Sequence, residues 1–167
     1  MEFKEIKVIF SCKAFDKLFS CVAEAKGLYE VRGILLGHYY EYTYTVVDVS
    51  FPENQDKKSK VSFMINGRKE TRIIEKIRKK YYLPPFPIGI WHSHVNGVET
   101  FSMRDKLSNQ KFCEAFGNSI SVIAVHPSIT KEIKLITYSV FACGDIKSIQ
   151  TSIDMNKQIP KRYMKLL

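Results

Sequence analysis

Apolar residues recur at helical spacing in some stretches of this 167-residue chain and alternate or run together in others, and the changes between these patterns outline its elements. Between Ser11 and Lys26, the residues Phe15, Leu18, Phe19, Val22 and Ala25 form one apolar stripe, which predicts an amphipathic helix ended by Gly27. Val31 to Tyr39 and Tyr44 to Phe51 are rich in β-branched and aromatic residues and predict two adjacent strands joined as a hairpin. Pro52 to Lys60 is polar and charged and reads as a surface loop, after which Val61-Ser62-Phe63-Met64-Ile65 begins a third strand. Asn66 suits the N-cap of a helix reaching about Tyr82, with Ile73, Ile74, Ile77 and Tyr81 on its buried face. Pro84-Pro85 closes that helix, and Phe86-Pro87-Ile88-Gly89-Ile90-Trp91 is a buried strand. A further helix starts near Ser102, strands follow over Ser119 to Val125 and Glu132 to Ala142, and the weak alternation from Asp145 to Ile153 suits an edge strand. Helices and strands do not alternate strictly. The expected class is therefore α/β of the α+β type, a mixed central sheet flanked by helices. Residues 1–167 read as a single domain, with 154–167 as a C-terminal extension.

The chemistry is concentrated directly after the Phe86 to Trp91 strand, where His92, His94, Ser102 and Asp105 stand in the spacing H-x-H-x7-S-x-x-D. A period of two sends His92 and His94 to one face of the strand and Ser93 to the other, so two imidazoles can converge on one ion. The loop from Val95 to Phe101 carries the turn dipeptide Asn96-Gly97, and Ser102-Met103-Arg104-Asp105 has the form of a helix start. Two imidazoles and a carboxylate leave the fourth tetrahedral position to water, the arrangement of a catalytic zinc site. Taken alone, Ser102-x-x-Asp105 is also a capping box, and a lone histidine at a strand end is usually solvated or hydrogen-bonded. Hydrolysis at such a site needs an acid/base residue that is not a ligand. Glu30, at the head of Glu30-Val31-Arg32-Gly33-Ile34-Leu35-Leu36-Gly37, is the best candidate, although periodicity by itself does not link it to the histidines.

The pair of motifs, E-x-x-G-[IL]-L-x-G upstream and H-S-H-x7-S-x-x-D downstream, resembles the JAMM (MPN-plus) zinc metalloprotease family, in the form of its small prokaryotic members. The resemblance runs from about Met1 to about Val140 and implies a cytidine-deaminase-like architecture. It implies that Glu30 is the acid/base residue, that His92, His94 and Asp105 bind one zinc ion, and that Ser102 stabilises the oxyanion. It further implies hydrolysis of the isopeptide or peptide bond after the C-terminal glycine of a ubiquitin-like protein, with that protein or its conjugate as partner. Small members of this kind act in deconjugation, including bacterial antiphage conjugation systems, or in maturation of sulfur carriers ending in Gly-Gly. The alternatives are a non-catalytic scaffold of the same fold and a DNA-associated member of the wider superfamily, relatives that carry H-N-H-P-S-G where this chain has His92-Ser93-His94-Val95-Asn96-Gly97. Two departures stand out: Val95 follows the second histidine and Phe101 precedes the serine where many members have proline. The chain also lacks the Cys/His-rich insertion of the polyubiquitin-cleaving members, so linkage selectivity is not expected.

Charge and cysteine content add less. The net charge of +9 is concentrated in Lys57 to Lys80 and in the tail, which suits a solvated helix face or a surface that meets an acidic protein; no nucleic-acid motif accompanies it. Cys12, Cys21, Cys113 and Cys143 lack C-x-x-C spacing and have apolar neighbours, so they read as small hydrophobes in a reducing compartment. His38 and His126 read as loop or strand-end histidines with no metal role. With no signal-like N-terminus and no long apolar run, the sequence points to a cytoplasmic protein with no membrane partner.

Overall fold

A computed structural model describes residues 5–26, 28–51, 68–95, 97–125, 133–141 and 145–149. The strands are β1 (Lys7–Phe10), β2 (Arg32–Tyr40), β3 (Thr43–Val49), β4 (Phe86–His94), β5 (Ser119–Val125), β6 (Lys134–Val140) and β7 (Ile146–Ile149), and the helices are α1 (Cys12–Glu24), α2 (Arg68–Arg78) and α3 (Met103–Phe116). They form one seven-stranded sheet in the order β1-β3-β2-β4-β5-β6-β7. Pairing is parallel for β1 with β3 and for β4 with β5, and antiparallel elsewhere, so the mixed α+β expectation holds.

The two faces of the sheet carry different layers because side chains alternate along each strand. On one face α1 packs through Ala14, Leu18 and Val22 against Leu35, Val46, Trp91, Ile120 and Val122. Its start is set by Ser11, whose hydroxyl accepts from the Ala14 N–H at 3.1 Å. On the other face Ile34, Leu36 and Ile90 meet Ile77 of α2 and Phe112 of α3, with Ile73, Ile74 and Tyr81 packed around them as the sequence pattern requires. The β2–β3 hairpin turns through Glu41 and Tyr42, both at positive φ (44° and 64°), the geometry of a two-residue turn that matches strand twist.

Two readings of the sequence are amended, and several others fall outside the described residues. The strand β1 was not anticipated; it is short, and its signal is only Ile6, Val8 and Phe10, of which Val8 and Phe10 are buried. Cys12 is exposed in the first turn of α1 rather than buried with Cys21 and Cys113. The predicted strand over Val61 to Ile65, the Asn66 cap, the Pro52 to Lys60 loop, Cys143, His126 and residues 154–167 lie outside the described residues. His38 falls within β2, where burial pushes its imidazole below the ordinary range.

A buried ion cluster ties α1 to β3 and to the end of α2. Asp48, 2% exposed, accepts from Lys17 at 2.6 Å, from the Tyr81 hydroxyl at 2.8 Å and from the Val49 N–H at 2.8 Å, with Lys13 at 3.2 Å. Burial pushes the Asp48 carboxyl up, but the Lys17 and Tyr81 hydrogen bonds outweigh it and hold the group below its ordinary value. A carboxyl depressed by folding contributes stability that is present above its unfolded pKa of about 3.9 and is lost as pH falls through the folded value. Asp48→Asn is expected to cost about 2 kcal/mol at pH 7, since the lysines retain access to water and only hydrogen bonds to the charge are lost. Denaturant titrations of both proteins should show that gap narrowing as pH falls below about 3.9; a gap independent of pH would remove the ion cluster as its cause.

Candidate metal centre

β4 continues beyond the predicted strand to His94, so both histidines leave the sheet from regular β backbone rather than from a loop. Their Nε2 atoms face each other at 3.0 Å, and both rings are buried on the α3 side of the sheet. α3 brings the third donor. Its N-cap Ser102 and its third residue Asp105 form a capping box, in which Ser102 N–H donates to Asp105 Oδ2 at 2.8 Å and Asp105 N–H donates to Ser102 Oγ at 3.2 Å. The capping and metal-site readings of this motif therefore describe the same residues. Asp105 Oδ1 lies 3.4 Å from His92 Nε2, and Oδ2 lies 3.6 Å from His94 Nε2.

These separations suit a metal ion. Zinc bonds of about 2.0–2.1 Å at tetrahedral angles put ligand atoms about 3.3 Å apart. The two Nε2 atoms are 3.0 Å apart, Asp105 reaches them through different oxygens at 3.4 and 3.6 Å, and with one ligand atom from each residue all three lie within 4.8 Å of one another. His94 Nδ1 lies 2.7 Å from the Val98 carbonyl, which can only accept, so Nδ1 carries a proton and Nε2 is the nitrogen turned toward Asp105. His92, His94 and Asp105 together could hold a metal ion. Burial pushes the Asp105 carboxyl up, but hydrogen bonds from His92 and His94 outweigh it and keep the group well below the carboxylate range. Its hydrogen bond to Asp105 in turn raises His94, against burial, with the Val98 carbonyl and the charges of Asp105 and Glu30 adding to the rise.

Sheet register brings Glu30 to this site. In the antiparallel β2–β4 pair Arg32 lies opposite His92. One step back, Ser93 N–H donates to the Val31 carbonyl at 2.7 Å and Val31 N–H donates to Ser93 Oγ at 2.9 Å. Glu30, the next residue back, falls level with His94, and it is exposed along the wall of a cleft of about 530 Å³ that also contains Arg32, His92, His94, Ser102 and Asp105. All five residues singled out from the sequence thus share one cleft. The Ser102 hydroxyl donates to Asp105 Oδ2 at 2.6 Å.

Residues that sequence reasoning missed secure the loop between β4 and α3. Phe101, where many members of the family that the motif resembles have proline, packs at a tilt with its ring centroid 4.5 Å from that of Tyr138 of β6 and 6.1 Å from that of His92. Tyr138 donates to the Glu99 carbonyl at 2.8 Å, and Lys134 pairs with the Glu99 carboxylate at 2.7 Å. The loop is therefore held to a neighbouring strand by side chains. The Val98 carbonyl, which orients His94, is a backbone group and left no trace in residue identity.

No protein-family model matches the chain, and no curated protein matches it. Among solved structures it is similar to the solution structure of a Desulfitobacterium hafniense protein determined as a structural-genomics target. The match has a TM-score of 0.61 and 19% identity, covering 89% of this chain and 95% of that one. At this identity the likeness is one of fold. Among the described residues no helix is long and apolar enough to cross a membrane.

Proposed function

We propose that this chain is a zinc-dependent isopeptidase or peptidase of the JAMM (MPN-plus) type, with the corresponding cytidine-deaminase-like architecture, acting after the C-terminal glycine of a ubiquitin-like protein. The observation that carries the reading is the triangle of His92, His94 and Asp105 with Glu30 on the same cleft wall, outside the triangle. A zinc ion held there would polarise the scissile carbonyl and acidify the attacking water. Glu30, level with His94 and open to the cleft, accepts a proton from that water and returns it to the departing amine. Ser102 stands at the cleft with its hydroxyl on Asp105 and is the neutral donor placed to turn toward charge growing on the carbonyl oxygen. Deconjugation or precursor processing, including in an antiphage conjugation system, fits this chemistry equally.

The test uses purified protein with its zinc content measured, offered a ubiquitin-like protein that carries an extension or a lysine linkage beyond its terminal glycine. Cleavage at that glycine, loss of cleavage in a chelator and recovery on adding zinc back are the expected results. A protein that binds one zinc per chain and leaves every such substrate intact would move the reading to a non-catalytic scaffold. Salt-dependent binding to DNA with the same inactivity would favour the DNA-associated alternative.

A further inference from the structure

The loop between β4 and α3 is fastened to a strand that supplies no metal ligand. β6 lies two strands from β4, and sheet register puts the two in rows. His94 is level with Val125 of β5 and through it with Lys134, and Ile90 is level with Ser121 and through it with Tyr138. Lys134 and Tyr138 are four apart on one strand and rise from the face of the sheet that carries His92 and His94. Among the described residues, no main-chain group from Gly97 to Phe101 takes part in a backbone–backbone hydrogen bond. The position of this loop therefore rests on side chains.

Tyr138 stands behind both imidazoles. Its hydroxyl donates to the Glu99 carbonyl at 2.8 Å, while the Glu99 carboxylate pairs with Lys134 at 2.7 Å, so Glu99 is held at its main chain and at its side chain. The peptide immediately before Glu99 carries the Val98 carbonyl, which accepts from His94 Nδ1 at 2.7 Å. With Glu99 anchored, that carbonyl cannot swing away from the imidazole unless one of these contacts breaks. The Tyr138 ring packs against Phe101, whose ring in turn faces His92. Partial burial and the Glu99 carboxylate push the Tyr138 phenol above its ordinary value, against the charge of Lys134, so the hydroxyl stays a donor. We propose that Tyr138 is a positioning residue of the metal centre, its hydroxyl setting the Val98 carbonyl that orients His94 and its ring backing Phe101 against His92. This rests on the reading of His92, His94 and Asp105 as a metal centre.

Zinc affinity measured by chelator competition, together with the electronic spectrum of the Co2+-loaded protein, tests the assignment in the full chain. Tyr138→Phe removes the hydroxyl and keeps the ring. It is expected to bind zinc about tenfold more weakly, the lower end of the range for groups that orient a metal ligand, and to shift the Co2+ bands. Tyr138→Ala removes both contacts and should weaken zinc by about 100-fold. The melting temperature of Tyr138→Phe should stay within about 3 °C of wild type, because the hydrogen bond it loses is exposed to water. A weaker site in that variant is then a change in ligand geometry and not a loss of fold. Wild-type zinc affinity and an unchanged Co2+ spectrum in Tyr138→Phe would overturn the proposal and leave the metal centre standing. A wild-type protein that takes up neither ion would overturn the metal centre, and the proposal with it.

Discussion

Glu30→Gln is expected to slow cleavage by about 100- to 10,000-fold, the range for loss of a positioned acid/base group, while zinc still binds one per chain. The substitution keeps the shape of the side chain and its place beside Val31, which the two hydrogen bonds to Ser93 fix, and removes only the charge and the proton-accepting oxygen. Glu30 is outside the ligand triangle, so the ion keeps its three protein donors. The loss should therefore appear in kcat, with little change in substrate binding. Asp105→Ala provides the contrast, since removing a vertex of the triangle must weaken the ion itself. Measuring zinc content and turnover on the same preparations separates the two effects. A Glu30→Gln protein with full activity, or one that loses its zinc as Asp105→Ala does, would show that Glu30 has another role.

The largest stability effect is expected at Gly33. A Cβ built there would lie 1.7 Å from the Ser50 carbonyl oxygen and 2.6 Å from Trp91 Nε1. Neither neighbour can withdraw cheaply. Trp91 Nε1–H donates to that same carbonyl at 3.1 Å, Ile34 N–H donates to Ser50 Oγ at 3.0 Å, and Ser50 N–H donates to the Ile34 carbonyl at 2.9 Å. Making room would displace the end of β3, the fully buried Trp91 or the β2–β4 pairing that aligns Arg32 with His92. We therefore expect Gly33→Ala to cost about 4 kcal/mol or more, beyond ordinary overpacking, and to lower the melting temperature by roughly 10 °C. Calorimetry on the two proteins measures it directly. A melting temperature within a degree or two of wild type would mean that the close approach of Ser50 to β2 is not a constraint.

How much of this was legible in the sequence depends on whether a feature is local. Alternation along one strand was enough to put His92 and His94 on one face, and four consecutive residues were enough to mark the start of α3 at Ser102. The stripe in α1 and the buried positions of α2 were equally readable because helical period is a property of a single segment. Glu30 is different. Its relation to the histidines is created by the pairing of β2 with β4, strands distant in sequence, and a resemblance to a known motif rather than any pattern in the residues brought it into the site. The burial of Asn109 was harder still to read, since it lies in the polar run from Ser108 to Lys111, and only Phe112 and Cys113 hint at which side of α3 is buried.

The centre draws its donors from two mechanically different sources. His92 and His94, with Glu30 beside them, are set by sheet hydrogen bonds between long strands, whereas Asp105 arrives on the first turn of a helix whose start depends on Ser102. Ion affinity and nucleation of that turn are thus thermodynamically linked: whatever frays the start of α3 weakens the site, and by reciprocity an ion on Asp105 holds the helix start in place.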